Sequence, residues 1–429
     1  MKALIICNDF PPLNSIGADR PYSWYKYFKK NGIEPIVVTK NWKGEIQNSY
    51  DVISNISNTY NTEQSELGSI IRTPHATTLP EKIIKSCGIK SCVIFRKAIT
   101  FLYKLLSFHC SFFDQHYPLY KAAKSFLKKN NVDIIITSGE PFILNKYGFL
   151  LSQSFSLPWI ADYRDGWYCN HVTSISNNAL TKILRWNEYM CEKKWIRQST
   201  AISTVDPLLA ETLKQMHAKP AIVCYNGFWE IYPTAQHTST LPVTLCHTGT
   251  LTPGQRVEFL LEAVKELIEE KRIQETDISM QFIGLEYFEE QYKRVITYSS
   301  SLHNCIKTTP RVPYNEAIRM SQSSDFLINF TEEHNTAIYA KTYTYMACGK
   351  KILVLPTDNS LLEETVTKYS LGNTFTDKQT LQNFICEMVA AKKNGTLDTR
   401  ITNTAGLEFF SRAHQTKLFS EEIKKIVSC

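Results

Sequence analysis

The chain has 429 residues, of which 43% are hydrophobic and 21% charged, with a formal net charge of +7. That length is more than one hydrophobic core serves, so two domains are expected, and the ordinary composition excludes a disordered or fibrous chain. No apolar run reaches the length that crosses a bilayer, about 18 residues, so no transmembrane helix is expected.

The first strand lies at Ala3-Leu4-Ile5-Ile6-Cys7. It breaks into Asn8-Asp9-Phe10-Pro11-Pro12, where the proline pair prevents helix, passes Gly17, and enters a helix. That helix stops at Asn31-Gly32. One lysine precedes the first strand, so no signal peptide is expected. Residues 36–39 form the next strand. Residues 40–80 are polar and poorly periodic, which predicts an insertion or mobile loops. From Lys82 to Lys129 there are ten Lys or Arg against one acid, Asp114, mixed with bulky apolar side chains. Residues 133–137 are a continuous β-branched run, as in a parallel strand buried on both faces. Strands at 159–162, 201–204 and 221–224 follow.

Periodicity is lost over 228–241, which marks the domain joint. The second half repeats the rhythm, with strands at 243–247, 280–284, 305–308, 326–329 and 351–355. Strands alternating with helical patterns predict βαβ units and parallel sheets. The opening move recurs about 240 residues on, where 243–247 breaks into a Gly-bearing loop and enters a helix over 257–269. A strand ending in such a loop, feeding a helix N-terminus, is the usual anion site of an open α/β sheet. The expected fold class is therefore α/β, with two Rossmann-like domains facing each other across a cleft.

Twelve cysteines are scattered with no CxxC pair and no zinc-like His–Cys spacing, which fits reduced thiols in a cytoplasmic protein. No DxD metal motif is present, so no metal is expected.

Four stretches carry candidate chemistry. In NDFPPLNSIGADR (8–20), Gly17 lets backbone approach a ligand and Arg20 opens the helix; the bland reading is a plain βα turn. In WIADYRDGW (159–167), Asp162, Arg164 and Asp165 leave the carboxyl end of a buried strand. Arg164 is placed to clamp a phosphate or to pair with one Asp, and the other carboxylate to orient a hydroxyl. In HTGTLTPGQR (247–256), Gly249 and Gly254 free the backbone, Thr250 between them is a further donor-binding candidate, and Arg256 stands at a helix N-terminus. Dipole, free N–H groups and guanidinium together suit a diphosphate. In EEHNTAIYAKTYTYMACGK (332–350), Lys341 is placed to reach that phosphate, against the reading of a solvated lysine.

Together these blocks, with SGEPF, YNGF and FFSRAHQTKLFSEEI, resemble a glycosyltransferase of the GT-B fold, specifically retaining family 4 of the bacterial envelope polysaccharide type. The resemblance covers most of the chain. It implies an acceptor-binding domain over 1–228, a nucleotide-sugar domain over 241–410, and a terminal helix over 411–429 crossing back to the first. It implies that Arg256 and Lys341 neutralise the donor diphosphate and that Gly17 approaches the donor. Asp162, Arg164 and Asp165 would line the cleft where sugar and acceptor meet. The sequence departs from the family at Thr344, where a ribose-binding Glu is usual, at Thr336, and at Asn145, where His is frequent. Thr344 then offers the ribose a hydroxyl.

The expected partners are a nucleotide-diphosphate sugar as donor substrate, with no other cofactor, and a glycan or undecaprenyl-type lipid-linked acceptor. An anionic membrane surface met through 82–129 is a further expected partner, giving a cytoplasmic protein peripheral on the inner face of the plasma membrane. The same helices packing on the sheet with lysines outward is the alternative. Nucleic acid is not expected. Rival functions are a non-catalytic nucleotide-sugar-binding subunit supporting another transferase, and, less favoured, a nucleotide-sugar epimerase.

Overall fold

The structure is a computed structural model. It describes all residues except 14, 44–56, 58, 89–91, 170–178, 234–240, 333–337, 358 and 429. The chain divides into two compact units, Met1–Tyr225 with Ala413–Cys429, and Asn226–Arg412. The sequence-based boundaries were 228 and 411.

The first unit holds eight strands: β1 (Lys2–Cys7), β2 (Glu34–Lys40), β3 (Asn61–Gln64), β4 (Ser69–Thr73), β5 (Ile134–Gly139), β6 (Trp159–Tyr163), β7 (Ala201–Thr204) and β8 (Ala221–Val223). Their order is β3-β4-β2-β1-β5-β6-β7-β8, all parallel except β3 against β4. Ile5 of β1 sits opposite Val37 and Ile136. Because strand side chains alternate, β1 feeds two cores. Leu4 and Ile6 join Val38, Ile135, Tyr147 and Trp159 on one face. Ala3, Ile5 and Cys7 join Trp24, Phe28 and Ile136 on the other.

The helices of this unit are α1 (Ile16–Tyr27), α2 (Leu79–Cys87), α3 (Val93–Ser107), α4 (Tyr117–Leu127), α5 (Ile143–Phe155), α6 (Ala179–Ile196) and α7 (Pro207–His217). Ser15 caps α1 by accepting from Ala18 N–H at 3.1 Å. Thr78 and Glu81 form a capping box at α2, which satisfies two of the donors a helix start leaves open.

The region 40–80 departs from expectation. Its second half is not loop but β3 and β4, and β4 pairs in parallel with β2 through Ile36↔Ser69 to Lys40↔Thr73. Ile70 supplies buried surface there. The strands are short and rich in Asn, Thr and Ser, so no periodic signal announces them.

The second unit holds β9 (Val243–Thr248), β10 (Ile278–Ile283), β11 (Ile306–Thr309), β12 (Phe326–Phe330), β13 (Ile352–Leu355) and β14 (Gly372–Thr374), in the order β11-β10-β9-β12-β13-β14. All pairs are parallel. Its helices are α8 (Glu258–Glu269), α9 (Glu289–Ile296), α10 (Ser299–Leu302), α11 (Tyr314–Ser323), α12 (Ala340–Ala347), α13 (Leu361–Lys368), α14 (Lys378–Lys393) and α15 (Thr404–Phe409). Leu260, Leu261, Val264 and Leu267 of α8 bury against Val243, Leu245 and Met280, the helical period meeting the strand period on one core.

The last helix, α16 (Arg412–Ser428), belongs to the first unit from Ala413 onward. Phe419 and Ile423 enter the core around Trp24 and Phe28. No helix among the described residues is long and apolar enough to cross a membrane.

Candidate functional site

In each sheet the strand order reverses direction beside a central strand, between β1 and β5 in the first unit and between β9 and β12 in the second. Ligands of open α/β sheets bind outside the carboxyl ends of strands at such points. Gly17 follows β1, the loop 249–256 follows β9 and Lys341 follows β12, whereas Asp162, Arg164 and Asp165 lie at the end of β6, one strand from the first of these points.

In the second unit β9 ends at Thr248, whose N–H donates to the Tyr345 hydroxyl at 2.9 Å. This ties the strand end to α12. Gly249 follows with φ of +86°, a left-handed conformation that costs other residues,. The next residues form a braced loop. Gln255 accepts from Thr252 N–H at 3.0 Å and donates to Phe330 O at 3.0 Å. Thr252 donates to Glu332 at 2.9 Å. A Cβ at Gly254 would lie 2.5 Å from the Glu332 carboxylate, so glycine is needed for that approach. Arg256 is exposed just before α8. Thr250 is half-buried in the same loop.

Lys341, on α12, brings its ammonium to His247 Nε2 at 3.1 Å. His247 is fully buried on β9, and its Nδ1 faces Ile328 O at 3.1 Å. Nδ1–H therefore donates to that carbonyl, which leaves Nε2 to accept from Lys341. Burial, with Lys341 second, holds the imidazole pKa well below its ordinary value. Burial also brings Lys341 down to about 7. The result is a neutral histidine aiming a poised amine. Thr344 is half-buried one turn on; Thr336 lies outside the described residues.

Sequence reading missed Arg294, on α9. It donates to the carboxylate of Glu258 at 2.8 Å and to the carbonyls of Thr252 at 3.1 Å, Pro253 at 3.3 Å and Gln255 at 2.8 Å. One guanidinium thus gathers the loop's carbonyls and fixes its shape. Nothing in the spacing of the chain announces that contact.

In the first unit one expectation is corrected. Asp162 is not a lining residue: it is 0% exposed. Its carboxylate accepts from Arg20 at 2.7 Å, Ser138 at 2.9 Å and Ser203 at 2.7 Å. Arg20, itself buried, also donates to Cys224 O at 2.5 Å and lies over the Trp24 ring. A buried charge must be paired and hydrogen-bonded, and this pair joins α1, β5, β6, β7 and the end of β8 as an internal strut.

Arg164 does reach the carboxyl end of the sheet. It donates to Gly139 O at 2.8 Å and Glu140 O at 2.9 Å, and lies 3.5 Å from Asp9. Gly17 makes room for it: a Cβ there would fall 1.6 Å from Arg164 Nη1. Asp165 is exposed beside it. Burial first, then Asp165, raises the Glu140 pKa. Asn145 is fully buried and accepts from Thr137 at 2.8 Å.

Beside these residues lies a cavity of about 520 Å³. Tyr103, Phe108 and Trp167 give it ring surface, and Asp114, Glu140 and Glu188 give it carboxyl groups. Asp114 is held by His116 at 2.9 Å and by the Tyr147 hydroxyl. The His116 pKa is lowered to about 4, chiefly by burial.

No protein-family model matches the chain, and no curated protein matches it in sequence. Solved structures do match in shape. Anabaena HepE, solved with UDP, aligns over 99% of this chain and 100% of its own, with a TM-score of 0.57 and 12% identity. Sucrose-phosphate synthase from Thermosynechococcus elongatus aligns over 100% of both, with a TM-score of 0.59 and 12% identity. A glycosyltransferase from Rickettsia africae aligns over 99% of this chain and 98% of its own, with a TM-score of 0.60 and 13% identity. The chain has the GT-B fold. In GT-B terms, the braced loop before α8 is the first βα turn of the C-terminal Rossmann-like domain, and Arg164 closes a βα turn of the N-terminal one.

Proposed function

We propose that this chain is a glycosyltransferase that moves a sugar from a nucleotide-diphosphate sugar to a hydroxyl acceptor. One observation carries the reading: β9 runs into the loop 249–256, with Arg256 just before α8, and His247 of the same strand receives the Lys341 ammonium. Departure of a nucleoside diphosphate places negative charge on the leaving oxygen, and preorganised donors at that point lower its energy. In this reading the chain supplies that counter-charge itself, without a metal ion. Thr344 hydrogen-bonds the donor ribose. That HepE was solved with UDP and with UDP-glucose gives the reading its donor class.

The first unit takes the acceptor. Arg164, Asp165 and Glu140 orient the reacting hydroxyl, and Asp162 keeps their strand ends in place through Arg20. The acceptor is a glycan or a lipid-linked glycan of an envelope polysaccharide, met at the inner face of a membrane. The enzyme resembles retaining family 4 members, so the anomeric configuration is kept.

Thermal shift against UDP-, GDP-, CMP- and dTDP-sugars tests the donor site, because a ligand of the native state raises apparent stability. One donor should stabilise the protein and lose its effect in Arg256→Ala. Release of the nucleotide diphosphate with an acceptor glycan extract, followed by NMR of the product, tests transfer and retention. Donor binding without release would leave a non-catalytic binding subunit; no binding would remove the reading.

A further inference from the structure

The 520 Å³ cavity of the first unit is opposite in charge to the chain that builds it. The chain has a net charge of +7. Yet four carboxyl groups, Glu81, Asp114, Glu140 and Glu188, line the cavity against one cation among the described residues, Lys104. The basic stretch 82–129 supplies no other cation to the lining. Helix α4, within it, turns Leu119, Ala122 and Leu127 into the core instead.

Two of the four carboxylates are spent inside the fold. Glu81 accepts from Thr78 N–H at 2.7 Å and lies 3.2 Å from His75 Nε2. Asp114 is bound to His116 and Tyr147, and buried Lys40 lies near both acids. Glu140 and Glu188 have neither a hydrogen bond nor an ion pair to their carboxylates among the described residues. The cations beside them are committed elsewhere. Arg164 is spent on the Gly139 and Glu140 carbonyls and on Asp9. Arg185 is spent on the Tyr168 carbonyl and ring. Lys104 is exposed. Burial raises the pKa of both free carboxyls, and an arriving cation would favour their charged form.

His116 adds a third acceptor. It is 6% exposed and lines the cavity. Its Nδ1–H donates to Asp114 at 2.9 Å, which leaves Nε2 unprotonated and without a partner among the described residues,. The opposite chemistry comes from the rings. Phe142 stacks on Trp167 at 5.1 Å, and Phe108 adjoins Trp167 at 5.6 Å. Such rings take apolar C–H faces and attract cations. A ligand here therefore needs positive charge, N–H or O–H donors, and an apolar face. Carboxylates repel an anion. A quaternary ammonium brings charge but no N–H for the carboxylates and Nε2. The volume lies within the range of small-molecule sites, about 300–1,000 Å³.

We infer that this cavity takes an amino sugar with a free amine, with Glu188 holding the ammonium, His116 Nε2 accepting from a hydroxyl, and the Phe142–Trp167 wall covering the ring. Glu140, exposed beside Arg164, meets the end of the ring that reacts. That a primary ammonium belongs here stands on the cavity alone. That a sugar carries it, as the terminus of the acceptor, rests on the sugar-transfer reading.

Ligand-observed NMR titration of the full chain without donor is the test. The probes are methyl glycosides of glucosamine, N-acetylglucosamine, glucose and glucuronic acid, their galacto counterparts, and choline, at slightly acid pH where the amine is charged. The free amine should bind about tenfold or more tighter than the acetylated and neutral glycosides, as a charged hydrogen bond implies. The uronate should not bind. Glu188→Gln should bring the amine to within about twofold of the neutral glycoside and leave the neutral glycoside unchanged, and Glu188→Asp should restore part of the preference. Equal binding of amine and neutral glycosides, tighter binding of uronate or choline, a preference that survives Glu188→Gln, or no binding of any probe overturns the inference. A UDP thermal shift run in parallel reports the donor site separately. Failure of the probes beside an intact UDP shift removes this inference alone. Amine binding without a UDP shift supports the ammonium site and removes the sugar-transfer reading.

Discussion

Lys341 donates to Nε2 of His247 at 3.1 Å, and the histidine's other nitrogen is committed to the Ile328 carbonyl at 3.1 Å. The imidazole therefore serves as a fixed acceptor, and the amine it orients has a pKa lowered to about 7 by burial. An anion arriving at that amine favours its charged form.

Donor binding should consequently weaken with rising pH. Below about 7 the free protein already carries the ammonium; above it, binding must take up a proton, so affinity should fall by up to about tenfold per pH unit. Stability runs the other way. The unfolded chain keeps the Lys341 proton up to about 10.5 while the folded chain sheds it near 7. The group's contribution is thus full above about 10.5 and lost as pH falls through 7. Lys341→Met should abolish the pH slope of UDP binding in calorimetry while leaving the unligated melting temperature unchanged or higher. A preserved slope would assign the proton to another group.

Asp162→Ala should act through folding. It leaves the Arg20 guanidinium buried without its carboxylate, which costs about 3–5 kcal/mol. Urea melts should show that loss. An active, equally stable Asp162→Ala would show that the strut is dispensable.

Arg294→Ala should loosen the loop that precedes Arg256 without touching the donor. The carbonyls of Thr252, Pro253 and Gln255 lose a shared partner. The UDP-induced thermal shift should drop by half or more, with a stability cost of only about 1–3 kcal/mol from the broken charged hydrogen bonds. An unchanged shift would mean the loop holds its shape unaided.

Gly249→Ala should cost about 1–2 kcal/mol from the left-handed backbone alone. Nothing lies within 4 Å of the added methyl, so the effect isolates φ from packing. A loss well beyond that range would show a steric role.

The parts of this architecture that were legible in sequence are those where local pattern and tertiary role agree. The runs 3–7 and 243–247 are apolar, β-branched and followed by glycine or proline, and they became β1 and β9 with loops at their carboxyl ends. β3 and β4 were not legible, because a four-residue NTEQ strand has no apolar alternation and gains its place from pairing alone. Arg20 and Asp162 were both noticed, yet their contact spans 142 positions, and no spacing rule links residues brought together by sheet order. Asp162 therefore looked like surface chemistry when it was core electrostatics. The basic stretch 82–129 looked like one surface because charge is continuous along it; burial of α4 divides it.

Helix α16 closes the core of the unit that contains residues 1–225. During synthesis, domains generally begin to fold in the order they emerge. Here the first unit must wait for Phe419 and Ile423 while nearly two hundred intervening residues are made, Asn226–Arg412. Over that interval Trp24 and Phe28 face an unfilled groove. A nascent chain stalled before α16 should therefore be a chaperone client, released only when the final helix arrives.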